Sequence, residues 1–161
     1  MVLRNRIHRR LAAAGVLVAA AGTLALTGAT GASGSTAAAA RTITLNDTGH
    51  LRETSHKGFN LNYSGQASGT VAGTIYLHLH VVSTNRFSAE LSVYPHGSSM
   101  TGSASGSYRN NGATASFSGT LSISRGTGSY SHAHGSGISF SGATQRTNGA
   151  TTVHVDGHLS V

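Results

Sequence analysis

The chain contains no cysteine and no tryptophan, one proline and only four acidic residues among 161. The absence of cysteine excludes disulfides, thiolate metal sites and thiol nucleophiles. The shortage of Asp and Glu makes paired carboxylates for acid–base chemistry scarce. A domain without disulfides must therefore be held together by its core and its hydrogen-bond ladder.

The short motifs of several enzyme classes are also missing. The sequence contains no G-x-S-x-G nucleophile elbow and no P-loop. Gly126-Thr127-Gly128 lacks the third glycine of a dinucleotide-binding fingerprint, and no helical pattern follows it. We therefore expect no cofactor.

The first forty residues have the order of a secretory signal peptide. Residues 1–10 carry four arginines and no acid, residues 11–26 are largely apolar, and Ala38-Ala39-Ala40 ends a tract of small residues. The apolar run is shorter than the ~20 residues of a membrane span, although a retained anchor is the alternative. The residues after Arg9-Arg10 match a twin-arginine signal poorly. We predict Sec-type export, a cleavable segment at 1–40 and a secreted domain at 41–161 without a stable membrane span.

Removal of this leader would lower the net charge of the chain. Residues 41–161 contain seven basic and four acidic residues, a net charge of +3. The basic residues are scattered singly along the sequence, without a cluster that could follow a phosphate backbone. We therefore do not expect nucleic-acid binding.

Apolar and polar residues alternate throughout residues 41–161, and no window shows a helical period. This alternation predicts about eight strands with one apolar face each, typical of an antiparallel up-and-down barrel or a sandwich. Glycine recurs inside the apolar stripes and favours the barrel, because it permits sharp coiling. Turn-forming residues separate the strands at 46–49, 95–97, 110–112, 126–128 and 148–149. The stripes are Ile43–Leu45, Phe59–Tyr63, Val71–Val81, Phe87–Val93, Met100–Tyr108, Ala115–Ile123, Ile138–Gly142 and Val153–Val161.

The stretch from Phe117 to Gly142 resembles the barrel family of allene oxide cyclases and dirigent proteins. The resemblance rests on the strand Phe117–Ile123, a Gly-Thr-Gly-x-aromatic turn and an alanine–glycine segment before the next strand. It implies an eight-stranded antiparallel barrel with an apolar lumen, which is often oligomeric. The residues of its turn region would have structural roles, and its glycines could supply the positive φ that turns often need. These residues are Gly126, Gly128, Tyr130, Gly135 and Gly137.

The resemblance also implies that polar groups inside the barrel would carry any activity. Members that act as cyclases or guide radical coupling use carboxylate, Arg, Asn or Tyr groups, but none of these can be assigned to a matching motif position here. Tyr63, Tyr108 and Arg109 are the candidates for ligand contact. Glu90 and Asp156 are out of phase with their apolar neighbours, so we expect them on the surface.

Nine histidines lie in residues 41–161, and two of them suggest a metal site. His78 and His80 would project from one face of a strand, about 6.6 Å apart along the chain. Two imidazoles at this spacing could converge on zinc or copper with a third ligand from elsewhere. If the apolar stripe of the same strand fills the interior, however, the pair faces solvent.

Three functions remain open from the sequence. The first is a non-catalytic secreted barrel that binds a small apolar ligand or serves a structural role at the cell exterior. The second is a cyclase or isomerase acting on an apolar substrate in the lumen, and the third is a histidine-based metal-binding protein. Which face of each strand lines the interior decides between these three functions.

Overall fold

Eight antiparallel strands form a closed barrel in the computed structural model, which describes residues 40–161. Each strand pairs with the next along the chain, and β8 pairs with β1. The prediction of an all-β antiparallel barrel is therefore confirmed. The predicted leader lies outside the described residues, except for its last residue. The strands are β1 (Thr42–Lys57), β2 (Asn60–Gly69), β3 (Gly73–Ser83), β4 (Arg86–Tyr94), β5 (Ser99–Asn111), β6 (Thr114–Thr127), β7 (Gly135–Gln145) and β8 (Ala150–Ser160).

The apolar stripes face the interior, as period-two alternation requires. In β3, Ile75, Leu77 and Leu79 line the lumen, whereas Tyr76 and His78 are exposed outside. Across residues 40–161, no helix is long and apolar enough to cross a membrane.

Several strand boundaries differ from the sequence-based prediction. Residues 46–49, predicted as a turn, lie inside β1, which continues to Lys57. Asp47 points inward there, and its Oδ1 accepts a hydrogen bond from the Val71 amide at 2.8 Å, so this Asx residue supports a turn between two other strands. Phe59 and Val71, predicted within strands, lie in the β1–β2 and β2–β3 turns. At residues 46–49, tertiary contacts have overridden the local turn chemistry.

The two ends of the barrel differ. The mouth, as we term one end, carries the turns at 58–59, 84–85, 112–113 and 146–149. At the opposite, closed end, the β6–β7 connection folds over the strands, and Ala133 is buried in the core with Ile138 and Leu159. A 3₁₀ turn (Gly128–Tyr130) begins this connection.

The family-like glycines shape the closed end. Gly128 has φ of 59°, which favours glycine. Glycine is needed at position 126 for a steric reason, because a Cβ there would collide with the Tyr130 carbonyl oxygen. The amide of Ala133 in turn donates to that carbonyl at 2.8 Å. This part of the motif therefore builds the floor of the barrel.

Candidate ligand cavity

The lumen contains an apolar cavity of about 850 Å³. Its deep part is lined by buried residues such as Met100, Ile123 and Leu159, and it extends to exposed residues of the mouth such as Phe59 and Arg146. It is therefore closed at one end and reached from the other. Small-molecule sites are typically concave and mostly apolar, with volumes of about 300–1,000 Å³.

Three phenylalanines form one wall of this cavity. The ring centroids of Phe87, Phe117 and Phe140 are separated by 6.1–6.3 Å. These separations lie within the range of favourable aromatic pairs. The cluster therefore presents a preformed aromatic surface to the lumen.

Each ring of this wall faces a glycine on the neighbouring strand. The cross-strand pairs are Phe87 with Gly106, Phe140 with Gly119, and Phe117 with Gly142. At Gly119 a Cβ would stand 2.7 Å from Phe140 Cζ, and at Gly106 it would stand 2.9 Å from Phe87 Cζ. At both positions a backbone carbonyl oxygen of the neighbouring strand would be closer still, so these glycines make room for the adjacent backbone as well as for the rings.

A small polar cluster lies at the opening of the lumen, on β1 and β2, where Tyr63 is buried and His56 is exposed. Glu53 and Tyr63 are direct cross-strand partners. A bulge between Glu53 and Ser55 changes the phase of β1, so that His56 also lines the cavity. The His56 Nδ1 atom is 3.5 Å from the Glu53 Oε1 atom. Three side chains capable of proton exchange therefore meet at one place.

Burial raises the pKa of Tyr63 to about 12, and the charge and hydrogen bonding of Glu53 act in the same direction. The Tyr63 phenol is therefore protonated throughout the neutral range. It can donate a hydrogen bond to a ligand or to Glu53, but it is a poor general base.

Asp47 is a second inward carboxyl, near the closed end. Burial raises the pKa of Asp47 against the opposing hydrogen bonds from the backbone of Val71 and Thr70. Because the Val71 amide occupies its Oδ1 atom, the main contribution of this carboxyl is to hold the β2–β3 turn in place.

The three sequence candidates for ligand contact occupy different positions. Tyr63 is buried and inward. Tyr108 also lines the cavity, and its hydroxyl donates to the Ser83 carbonyl at 3.4 Å. Arg109 is exposed on the outer face, because it is out of phase with Tyr108, and the structure does not bring it into the lumen. Glu90 and Asp156 are exposed on the outside, as predicted.

The proposed metal-binding histidines lie on the outer wall. The Nδ1 atom of His80 is 2.9 Å from Asn60 Oδ1, and His78 forms the equivalent contact with Asn62. Within residues 40–161, no group of three His, Cys, Asp or Glu side chains is placed to hold a metal ion. The pair therefore remains a two-imidazole surface feature with no third ligand from those residue types.

Sequence reasoning missed Glu53 and His56 as candidate site residues. Glu53 shares the phase of Leu45 and Leu51, so an uninterrupted count along β1 would have placed it inside. No comparable signal exists for His56, because the bulge that turns it inward is not encoded by a recognisable motif.

No protein-family model, curated protein or solved structure matches this chain.

Proposed function

We propose that this barrel binds a small, predominantly apolar molecule in its lumen. The single observation that carries the proposal is the cavity of about 850 Å³, which is lined by apolar side chains and reached from the mouth. A purely structural barrel has no need for such a space, and eight strands give an interior that side chains can fill. The aromatic wall offers flat apolar contact, while Tyr63 offers a hydrogen bond at the opening.

A cavity-filling variant tests this proposal against a matched control. Ala104 lines the lumen, whereas its neighbour Ser105 is exposed outside. We expect Ala104→Phe to weaken binding of a fluorescent apolar probe, such as an anilinonaphthalene dye, by about tenfold or more, since small volume changes in apolar pockets act on this scale. Ser105→Phe adds the same ring outside and should leave affinity unchanged. Equal affinity in wild type and Ala104→Phe would exclude lumenal binding.

A second candidate function is acid–base conversion of the bound molecule, in the manner of a cyclase or isomerase. The observation that favours it is the cluster of Glu53, His56 and Tyr63 at the inner face of the mouth. Glu53 would accept a proton and the neutral Tyr63 phenol would stabilise a developing oxyanion. Glu53→Gln should abolish acid–base conversion of the bound molecule while retaining binding of the fluorescent probe. Turnover that survives in this variant would remove Glu53 from the reaction.

Membership of the allene oxide cyclase and dirigent barrel family is part of this proposal. Its support is the Phe117–Gly142 motif together with the closed eight-stranded topology. Self-association, which the resemblance implies, is tested by analytical ultracentrifugation.

Export by the Sec pathway is also part of the proposal, and its support is the amino-terminal sequence. Expression of the full chain in a bacterium that secretes it, followed by amino-terminal sequencing of the protein in the medium, tests this part. A product that begins near Arg41 would support cleavage, and retention of Met1 would contradict it.

A further inference from the structure

The mouth of the barrel combines exposed apolar side chains with an excess of positive charge. Phe59 is 69% exposed and Val82 is 62% exposed. The Val81 amide donates to the Phe59 carbonyl at 2.8 Å, so the two exposed side chains belong to neighbouring parts of the same rim. We define the mouth patch as Phe59, Val82, Lys57, Arg86 and Arg146.

Exposed apolar residues are few elsewhere on the described surface. The other large exposed hydrophobic residues are Tyr76 and Tyr94 on the outer wall. These two rings pack edge to face, with centroids 5.8 Å apart, so each covers part of the other. Phe59 and Val82 lie instead in or beside turns at the opening of an apolar cavity.

The charges of residues 41–161 are distributed unevenly between the ends of the barrel. Lys57, Arg86 and Arg146 lie at the mouth turns, and Arg109 lies three residues before the β5–β6 turn. All four are exposed. Four of the seven basic residues, which are scattered in sequence, are therefore close to one end. This clustering cannot be read from sequence spacing alone.

Acidic groups do not neutralise this end. Glu53 is the one carboxylate near the mouth, and it points into the lumen towards Tyr63 and His56. Glu90 lies mid-strand on the outer wall, whereas Asp47 and Asp156 lie towards the closed end. The four exposed cations outnumber this carboxylate, so the mouth carries a net positive charge.

We propose that the mouth patch docks reversibly on an anionic lipid bilayer and places the cavity opening against the lipid surface. Apolar side chains among basic residues are the combination that binds proteins at membrane interfaces. Basic residues add attraction to the negative surface potential of such a membrane. This inference rests on the proposed function only for its purpose, since docking would let an apolar ligand enter the lumen without crossing water.

Flotation with lipid vesicles tests the docking step directly. Full-length mature protein, residues 41–161, is mixed with vesicles of phosphatidylcholine alone or of phosphatidylcholine and phosphatidylglycerol. We expect binding to the anionic vesicles, a decrease with added salt and little binding to the neutral ones. Absence of wild-type binding to anionic vesicles would overturn the inference.

Two pairs of variants separate the mouth patch from general surface properties. Phe59→Ser with Val82→Ser should reduce binding to anionic vesicles at least about tenfold, because the bilayer would no longer bury these two apolar side chains. Tyr76→Ser with Tyr94→Ser removes as many exposed hydrophobic residues from the wall and should have little effect. Equal loss in both double variants would contradict a mouth-directed orientation.

The charge variants follow the same design. Lys57→Gln with Arg86→Gln should weaken binding by roughly fivefold per cation. Arg41→Gln with Arg125→Gln removes the same net charge from exposed positions outside the mouth patch and should retain most of the binding. An equal effect of both pairs would indicate non-specific attraction and overturn the inference.

Two further measurements distinguish failure of docking from other causes. Probe binding in vesicle-free solution reports the lumen alone, and Lys57→Gln with Arg86→Gln, whose side chains do not line the cavity, should retain it. Wild-type protein that binds the probe but no vesicle would leave the proposed function intact and remove the docking. Self-association that is lost in Phe59→Ser with Val82→Ser would show that the mouth patch serves a second copy of the chain, which would also overturn it.

Discussion

Replacement of Gly142 by alanine tests whether this interior glycine is required by close packing against the Phe117 ring and the backbone of the neighbouring strand. An added Cβ would stand 2.5 Å from Phe117 Cζ and closer still to the Thr152 carbonyl oxygen. Overpacking of this kind costs about 1–3 kcal/mol, and loss of the aromatic contacts of Phe117 adds about 0.5–1.5 kcal/mol. We therefore expect the free energy of unfolding to fall by about 2–4 kcal/mol, which corresponds to a decrease in Tm of roughly 6–16 °C in a domain of this size.

Gly49→Ala is the matched control. Gly49 also faces the lumen from a strand, but there an added Cβ would find its closest neighbour, Ile75 Cδ1, at 3.2 Å. Alanine restricts the unfolded chain, so this variant should lie within about 0.5–1 kcal/mol of the wild type. Urea unfolding followed by circular dichroism measures both variants. Unchanged stability in Gly142→Ala, or equal losses in the two variants, would refute the steric explanation.

Three further predictions concern titration and metal binding. Burial raises the pKa of Asp47, so the folded chain binds the carboxyl proton more tightly than the unfolded chain does. The stability of the wild type relative to Asp47→Asn should therefore increase as the pH falls from neutral to below 3.8. A difference in unfolding free energy that stays constant with pH, measured by urea unfolding, would contradict this. Since the pKa of Tyr63 is raised from 10.0 to about 12, the wild type should lose stability relative to Tyr63→Phe between pH 10 and 12, and absorbance at 295 nm (the tyrosinate band) should show a late-titrating component that is absent from Tyr63→Phe. Calorimetric titration with zinc tests His78 and His80: because no third His, Cys, Asp or Glu within residues 40–161 is placed to join them, the pair should bind zinc weakly, and binding that persists unchanged after both become alanine would exclude the pair.

Period-two alternation predicted the fold because closure of a barrel leaves each strand one interior face. Ile75 and Leu77 demonstrate this, since both line the lumen while the intervening Tyr76 is exposed. Local chemistry misled the prediction at residues 46–49, where Asn, Asp and Gly resemble a turn. There the inward Asp47 supports a turn between strands that lie later in the sequence, a long-range contact that no local pattern contains.

The candidate site was less predictable than the fold for the same reason. Assigning a turn at 46–49 interrupted the phase of β1, and Glu53 was then not recognised as inward. His56 depends on a bulge, which shifts the phase by one residue and has no sequence signature here. The positive charge at the mouth depends on four turns that are distant in sequence and adjacent in space. Sites formed by strand irregularities and by turns from different parts of the chain thus require the three-dimensional structure.

The unfilled cavity favours ligand binding over a structural role, and its origin can be traced to particular residues. An eight-stranded barrel is narrow enough for side chains to fill it. Near the closed end this occurs, because the inward residues there include Met100, Ile123 and Leu159. Further towards the mouth, small residues such as Ala104 and Ala115 occupy inward positions, while the rings are confined to one wall. Leucine at the alanine positions would bury more apolar surface, with each added methylene contributing about 0.8 kcal/mol. A barrel whose only task was to be stable would gain from such residues, and the space left by the alanines is the structural support for the proposed ligand binding.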